Sequence, residues 1–157
     1  SVLMDYFFGV IFVKLEEILD LWRTDSNIDS TELDKESLKI PSLHNKYLKI
    51  YASENLDLKR MMYNFKELER NKFEYYSGKM SEEELDEQGW EQFDHKLLKQ
   101  DIPRYLESDP DLIKMLLKID YQKEKVETIK SILSNINGRS FNIGNAIKWQ
   151  QFLNGIN

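Results

Sequence analysis

Apolar residues along this chain recur at helical spacing, and the two longest runs of that pattern define its plan. From 41 to 79 a heptad register puts His44, Tyr47, Tyr51, Glu54, Leu58, Met61, Phe65, Leu68, Lys72 and Tyr75 at a and d positions. That is a mostly apolar seam at alternating three- and four-residue steps. Both ends are marked: Pro41 suits a first turn, where its missing N–H costs nothing, and Gly78 suits the position past a last turn, where φ turns positive. The spacing predicts one long helix over 41–79 with one side against another helix. The second run opens at Ser108-Asp109-Pro110-Asp111, a capping carboxylate before a proline at N1 with an acid in the first turn. It continues through Leu112, Leu116, Ile119, Val126, Ile129, Leu133 and Ile136 to an expected stop at Asn137-Gly138. Two seams of comparable length predict an antiparallel helical hairpin.

Shorter stretches flank this pair. The run over 6–13 is apolar but only eight residues long, against the roughly 20 that a membrane-spanning helix needs. No cation precedes it and no small-residue cleavage site follows, so a secretory signal is not expected. Three readings stay open for it: an amphipathic helix continuing through Leu15, Ile18, Leu19 and Trp22 into a partner, a core helix, or residues left by an upstream start, with Ser1 ahead of a late Met4. Residues 23–40 turn polar and predict a loop with one short turn of helix, which reverses the chain. Ser81-Glu82-Glu83-Glu84 is a capping-box pattern opening a short acidic helix that Gly89 ends. Trp90 and Phe93 supply a small satellite core, and a second short helix is expected around 93–100. The last segment, 140–153, crowds Phe141, Ile143, Ala146, Ile147, Trp149, Phe152 and Leu153 onto a short terminal helix. That is more apolar surface than one face can bury, and it predicts subunit contacts.

Composition narrows the class. With 157 residues, 41% of them hydrophobic, the chain can bury a core of its own. Only 6 Gly and 3 Pro argue against an all-β fold, which needs frequent turns. The expectation is a single all-α domain over 1–157, divided into an N-terminal helix and loop (1–40), a long basic helix (41–79), an acidic connector (80–108), and a second long helix with a C-terminal helix (109–157). There is no cysteine, which excludes a disulfide frame and a Cys-type zinc site and fits a reducing cytoplasm. The net charge of −6 weighs against nucleic acid binding over the whole surface. Its distribution changes the picture. From 59 to 79 there are six cations against three acids, and from 80 to 94 seven acids with no Lys or Arg. Adjacent basic and acidic zones suggest two different partners or one self-contact.

Catalytic chemistry is nearly absent. His44 and His95 have no Cys, His or paired carboxylate at metal-ligand spacing, and His44 falls on the seam, where a packed ring is the simpler reading. There is no phosphate-binding glycine loop and no nucleophile elbow, so neither enzyme activity nor a cofactor or metal is expected. The remaining signal is Lys59, Tyr63, Lys66, Arg70 and Phe73, which share an outward helical face. On the plainer reading these are solvating charges. On the other, single-stranded nucleic acid lies along the helix, with phosphates on Lys59, Lys66, Arg70 and Lys72 and bases on Tyr63, Phe73, Tyr75 or Tyr76. Repetition around a ring would multiply the few charges of one subunit.

Three blocks, in order, carry a resemblance: Leu38-Lys39-Ile40-Pro41-Ser42-Leu43-His44-Asn45-Lys46-Tyr47-Leu48, Tyr75-Tyr76-Ser77-Gly78-Lys79 and Arg139-Ser140-Phe141-Asn142-Ile143. From about residue 15 to the C-terminus the chain resembles the UvsY family of recombination mediators of T4-type bacteriophages and their marine relatives. The resemblance implies a non-enzymatic, ring-forming helical homo-oligomer. Such a protein binds single-stranded DNA, remodels phage single-strand-binding protein and loads a UvsX-type recombinase, in the cytoplasm of the infected bacterial host. The family's DNA-binding tetrad, of the form Lys-Ala-Arg-Leu ahead of two tyrosines, corresponds to Arg70-Asn71-Lys72-Phe73. Arg70 and Lys72 keep the cations, while Asn71 and Phe73 depart from the small and aliphatic positions. Together with the helical face read from the residues, the expected DNA-binding set is Lys59, Tyr63, Lys66, Arg70, Lys72, Phe73, Tyr75, Tyr76 and Lys79. The family's C-terminal oligomerisation region falls on Phe141, Ile143, Ile147, Trp149, Phe152 and Leu153. Residues 2–13 lie outside the resemblance, and the acidic block 80–94 has no place in the T4 pattern. It could dock a basic surface on the recombinase. Two other classes remain: a helical protein-interaction module without DNA binding, and a lipid-surface protein using 7–12. The second is weaker, because no Lys/Arg cluster flanks that run and no membrane contact is expected.

Overall fold

Every a and d position of the first predicted seam is buried or half-buried in the computed structural model, which describes residues 13–155. The apolar run over 6–13 therefore falls, except for Val13, outside the described residues. The described residues form six helices and no strand: α1 (Leu15–Asp25), α2 (Leu33–Leu38), α3 (Ile40–Tyr76), α4 (Glu82–Gln88), α5 (Ile102–Glu107) and α6 (Pro110–Leu153). The chain is all-α, with two long helices of 37 and 44 residues. It divides into two compact units, one of them Asp57–Gln122 and the other made of the segments up to Leu56 and from Lys123 onward.

In the unit of the two outer segments, Ile18, Tyr47, Ile129, Ile132 and Ile136 form a buried cluster, with Trp22, Leu43, Ile50 and Leu133 packed around it. Tyr47 meets Ile129 to Ile136 while Glu54, further along α3, meets Lys125, earlier on α6, so the two helices run antiparallel here. Trp22 of α1 sets its ring edge-on to Tyr47 at 5.5 Å. Arg139 closes the end of α1: it donates to the carbonyl oxygens of Asp25 at 3.0 Å and Asn27 at 2.8 Å. A cation at a helix C-terminus satisfies carbonyls that have no partner within the helix. The Asp25 carboxylate accepts from Lys46 Nζ at 2.6 Å and from the Tyr47 hydroxyl at 2.9 Å.

In the central unit, the C-terminal half of α3 ends where the sequence predicts. Gly78 has φ of 70°, its N–H donates to Tyr75 O, and the Lys79 N–H donates to Glu74 O. This pair of backward bonds is a Schellman ending, which glycine permits because it has no Cβ. The capping box at Ser81 is present, with Glu84 N–H donating to Ser81 Oγ and Ser81 N–H to Glu84 Oε2, and Gly89 closes α4 in the left-handed region at φ of 69°.

Two expectations are corrected. Gly138 does not end the second long helix, and the terminal helix expected over 140–153 is its continuation. The glycine costs about 1 kcal/mol relative to alanine, and flanking Ile136, Arg139 and Ile143 are all buried, which holds the helix through it. The short helix expected around 93–100 is not formed. Phe93 and His95 instead bring their rings to 5.5 Å, a contact that a helix forbids because residues two apart face different ways.

Candidate nucleic-acid interface

The C-terminal half of α3 presents two faces. At about 100° per residue, Lys59, Tyr63, Lys66, Arg70 and Phe73 fall within an arc of roughly 80°, on the side away from the seam. All five are exposed, Tyr63 by 68% and Phe73 by 44%. Lys79, just past the helix end, is exposed as well. Lys59, Lys66, Arg70 and Lys79 take part in no ion pair among the described residues. The Lys66 ammonium lies 5.7 Å from the centre of the Tyr63 ring, so cation and aromatic ring alternate along one strip. Met62, 42% exposed, borders the strip and was not singled out from the sequence. Its helical offset from Lys59 and Lys66 is the signal that would have found it.

The remaining three residues of the expected set turn inward. Lys72 lies on the seam with its side chain 6% exposed, its Nζ 2.7 Å from Asp111 Oδ2 and 3.2 Å from Asp109 Oδ2. The same ammonium sits 4.1 Å from the centre of the Trp90 ring and 5.6 Å from that of Tyr75. The Tyr75 hydroxyl donates to Glu91 O at 2.7 Å, and the Tyr76 hydroxyl to Asp109 Oδ2 at 2.6 Å. Both rings belong to a half-buried cluster with Phe93, into which Trp90 and Tyr105 also pack. Asp109 has a second task, since its Oδ1 accepts the N–H of Asp111 at 2.9 Å and of Leu112 at 3.0 Å, capping α6. Burial alone would push the Asp109 carboxyl up. The hydrogen bonds from Tyr76, Leu112 and Lys72, together with the Lys72 charge, hold it below the ordinary carboxylate value. Burial and the neighbouring Asp109 carboxylate push the Tyr76 hydroxyl well above the usual tyrosine range.

Asp111 and Trp90 were legible only indirectly. A lysine on a buried seam calls for a carboxylate on the facing helix, but which carboxylate depends on register.

The expected oligomerisation residues also divide. Ile143 is buried and Ile147 half-buried, whereas Phe141, Trp149, Phe152 and Leu153 are exposed by 72%, 61%, 66% and 64%. Trp149 and Phe152 stack at 5.5 Å. Among the described residues no group of three His, Asp or Glu side chains could hold a metal ion, and no helix is long and apolar enough to cross a membrane.

A family model described as "Recombination, repair and ssDNA binding protein UvsY" matches residues 21–156. The chain belongs to the UvsY family. Among solved structures it is similar to the bacteriophage T4 recombination mediator protein UvsY. The lattice type IV crystal form matches with a TM-score of 0.78 at 22% identity, over 89% of this chain and 99% of that one. The lattice type II form matches with a TM-score of 0.76 at 23% identity, over 89% and 97%. At that identity the likeness shows the UvsY fold. Among curated proteins no significant match is found.

Proposed function

We propose that this member of the UvsY family is a recombination mediator that holds single-stranded DNA along the exposed strip of α3. The carrying observation is the alternation of Lys59, Tyr63, Lys66, Arg70 and Phe73 on one solvent-facing side of a single helix. Phosphates pair with the cations, and bases stack on Tyr63 and Phe73, each stack contributing about 1–3 kcal/mol without regard to sequence. The exposed face of Phe141, Trp149, Phe152 and Leu153 joins copies of the chain into a ring. Several weak strips then act on one strand.

On the assembled surface, single-strand-binding protein is loosened and a UvsX-type recombinase nucleates. The acidic segment 80–94 docks a basic surface of the recombinase, a step supported by charge complementarity.

Fluorescence anisotropy of labelled oligothymidine over a salt series tests the DNA step. Wild-type protein is expected to bind with an affinity that falls linearly in log salt. The double variant Lys66→Ala, Arg70→Ala should bind more weakly with a flatter slope. An intact oligomer that fails to bind even at low salt would sink the proposal and leave a helical protein-interaction module.

A further inference from the structure

We infer that Lys72 is a positioning residue of the DNA-binding helix and not a phosphate contact, an inference that rests on the DNA reading of α3 above. In the family resemblance this position carries one of the tetrad's two cations. In this chain the ammonium is already spent inside the protein. It has three donors, and Asp109, Asp111 and the Trp90 ring surround it at 3.2, 2.7 and 4.1 Å. Two carboxylates beside one ammonium leave a net negative charge, which repels a phosphate. A phosphate that captured Lys72 would also leave Asp109, 1% exposed, without its cation.

What Lys72 does is fasten the last turns of α3. It ties them to the start of α6 through Asp109 and Asp111, and to the connector through Trp90. Tyr76 reaches the same Asp109 carboxylate, and Tyr75 the carbonyl of Glu91. Arg70 and Phe73 sit on these turns, facing outward. Their spacing along a strand depends on the order that the inward-facing residues impose.

Lysine acetylation with sulfosuccinimidyl acetate, read by mass spectrometry on wild-type protein with and without oligothymidine, separates the roles. Lys59, Lys66 and Lys79 are expected to react readily in free protein and to be protected severalfold by DNA. Lys72 should react at least tenfold more slowly than these in both states. A Lys72 that is reactive in free protein and shielded by DNA overturns the inference. Absence of DNA protection at all four lysines removes the DNA reading itself, and the inference with it.

A charge-balanced pair of variants gives a second readout. Lys72→Met alone should weaken DNA binding severalfold. Adding Asp109→Asn, which keeps a capping oxygen for α6 and removes the stranded charge, should restore affinity to within about twofold, with the log-salt slope of the wild type. If the folded double variant stays weak and its slope has fallen by about 0.7, the value for one lost phosphate contact on a single strand, Lys72 touches DNA and the inference is wrong.

Discussion

The Lys125 ammonium lies 2.8 Å from the Glu54 carboxylate, and the two side chains are 0% and 4% exposed. The Lys125 Nζ also donates to the Val13 carbonyl at 2.8 Å, which joins the residues just before α1 to the core of the outer unit. Removing one partner strands a buried charge. Glu54→Gln or Lys125→Met alone should therefore destabilise the protein by about 3–5 kcal/mol. Replacing both, as Glu54→Leu with Lys125→Met, should recover most of that loss. Urea unfolding midpoints of the three variants decide it, and single variants indistinguishable from wild type would show that the pair contributes nothing.

Stability should also respond to acid in a definite direction. The Asp109 and Asp25 carboxyls are both held below their ordinary value of 3.8 in the folded protein. A group with a depressed folded pKa adds stability above its unfolded value and loses it as pH falls through the folded value. The unfolding midpoint should be flat across neutral pH and fall steeply below about pH 4. Asp109→Asn should flatten part of that fall. A midpoint that drops between pH 7 and 5 would point to other groups.

The outward C-terminal face predicts an assembly defect. Trp149→Ala with Phe152→Ala removes the stacked pair from a surface that is already solvent-exposed, so helicity should be kept. Sedimentation velocity should show the wild type as an oligomer and the variant shifted towards monomer. Unchanged sedimentation would clear these residues of that role.

Two glycines should respond oppositely to alanine. At Gly138, inside α6, an added Cβ meets nothing within 4 Å, so Gly138→Ala should stabilise by about 0.4–1 kcal/mol. At Gly78, where φ is 70°, Gly78→Ala should destabilise by about 1–2 kcal/mol through left-handed strain. Thermal melts of the two variants on opposite sides of wild type are the expected outcome.

These particulars show which parts of the fold could be read from the chain. The seam of α3 was legible because apolar periodicity records burial directly, and its polar members Glu54 and Lys72 lie where it places them, buried. Their partners were not, because pairing across helices depends on register, which no local pattern states. Leu116, assigned to the second seam, is 42% exposed, while Gln122 and Lys125 lie buried on the same helix. Apolarity alone overlooked these polar core members. The outward strip could be read as a face, since helical geometry fixes it. The inward set of Lys72, Tyr75 and Tyr76 could not, because a tyrosine's preference for a base or for a buried carboxylate is settled by what the connector brings near. The stop expected at Gly138 does not form, a local cost outweighed by continuous packing on both sides.

The three tryptophans stand in three different settings. Trp22 packs edge-on against Tyr47 beside the outer core, Trp90 lies under the Lys72 ammonium in the central unit, and Trp149 is stacked on Phe152 in the open. Each reports on a separate event by its own emission: core formation, closure of the connector, and coverage of the terminal face. With two of the three replaced by phenylalanine, the protein becomes its own fluorescent probe, and folding, fastening and assembly can be timed independently without an attached dye.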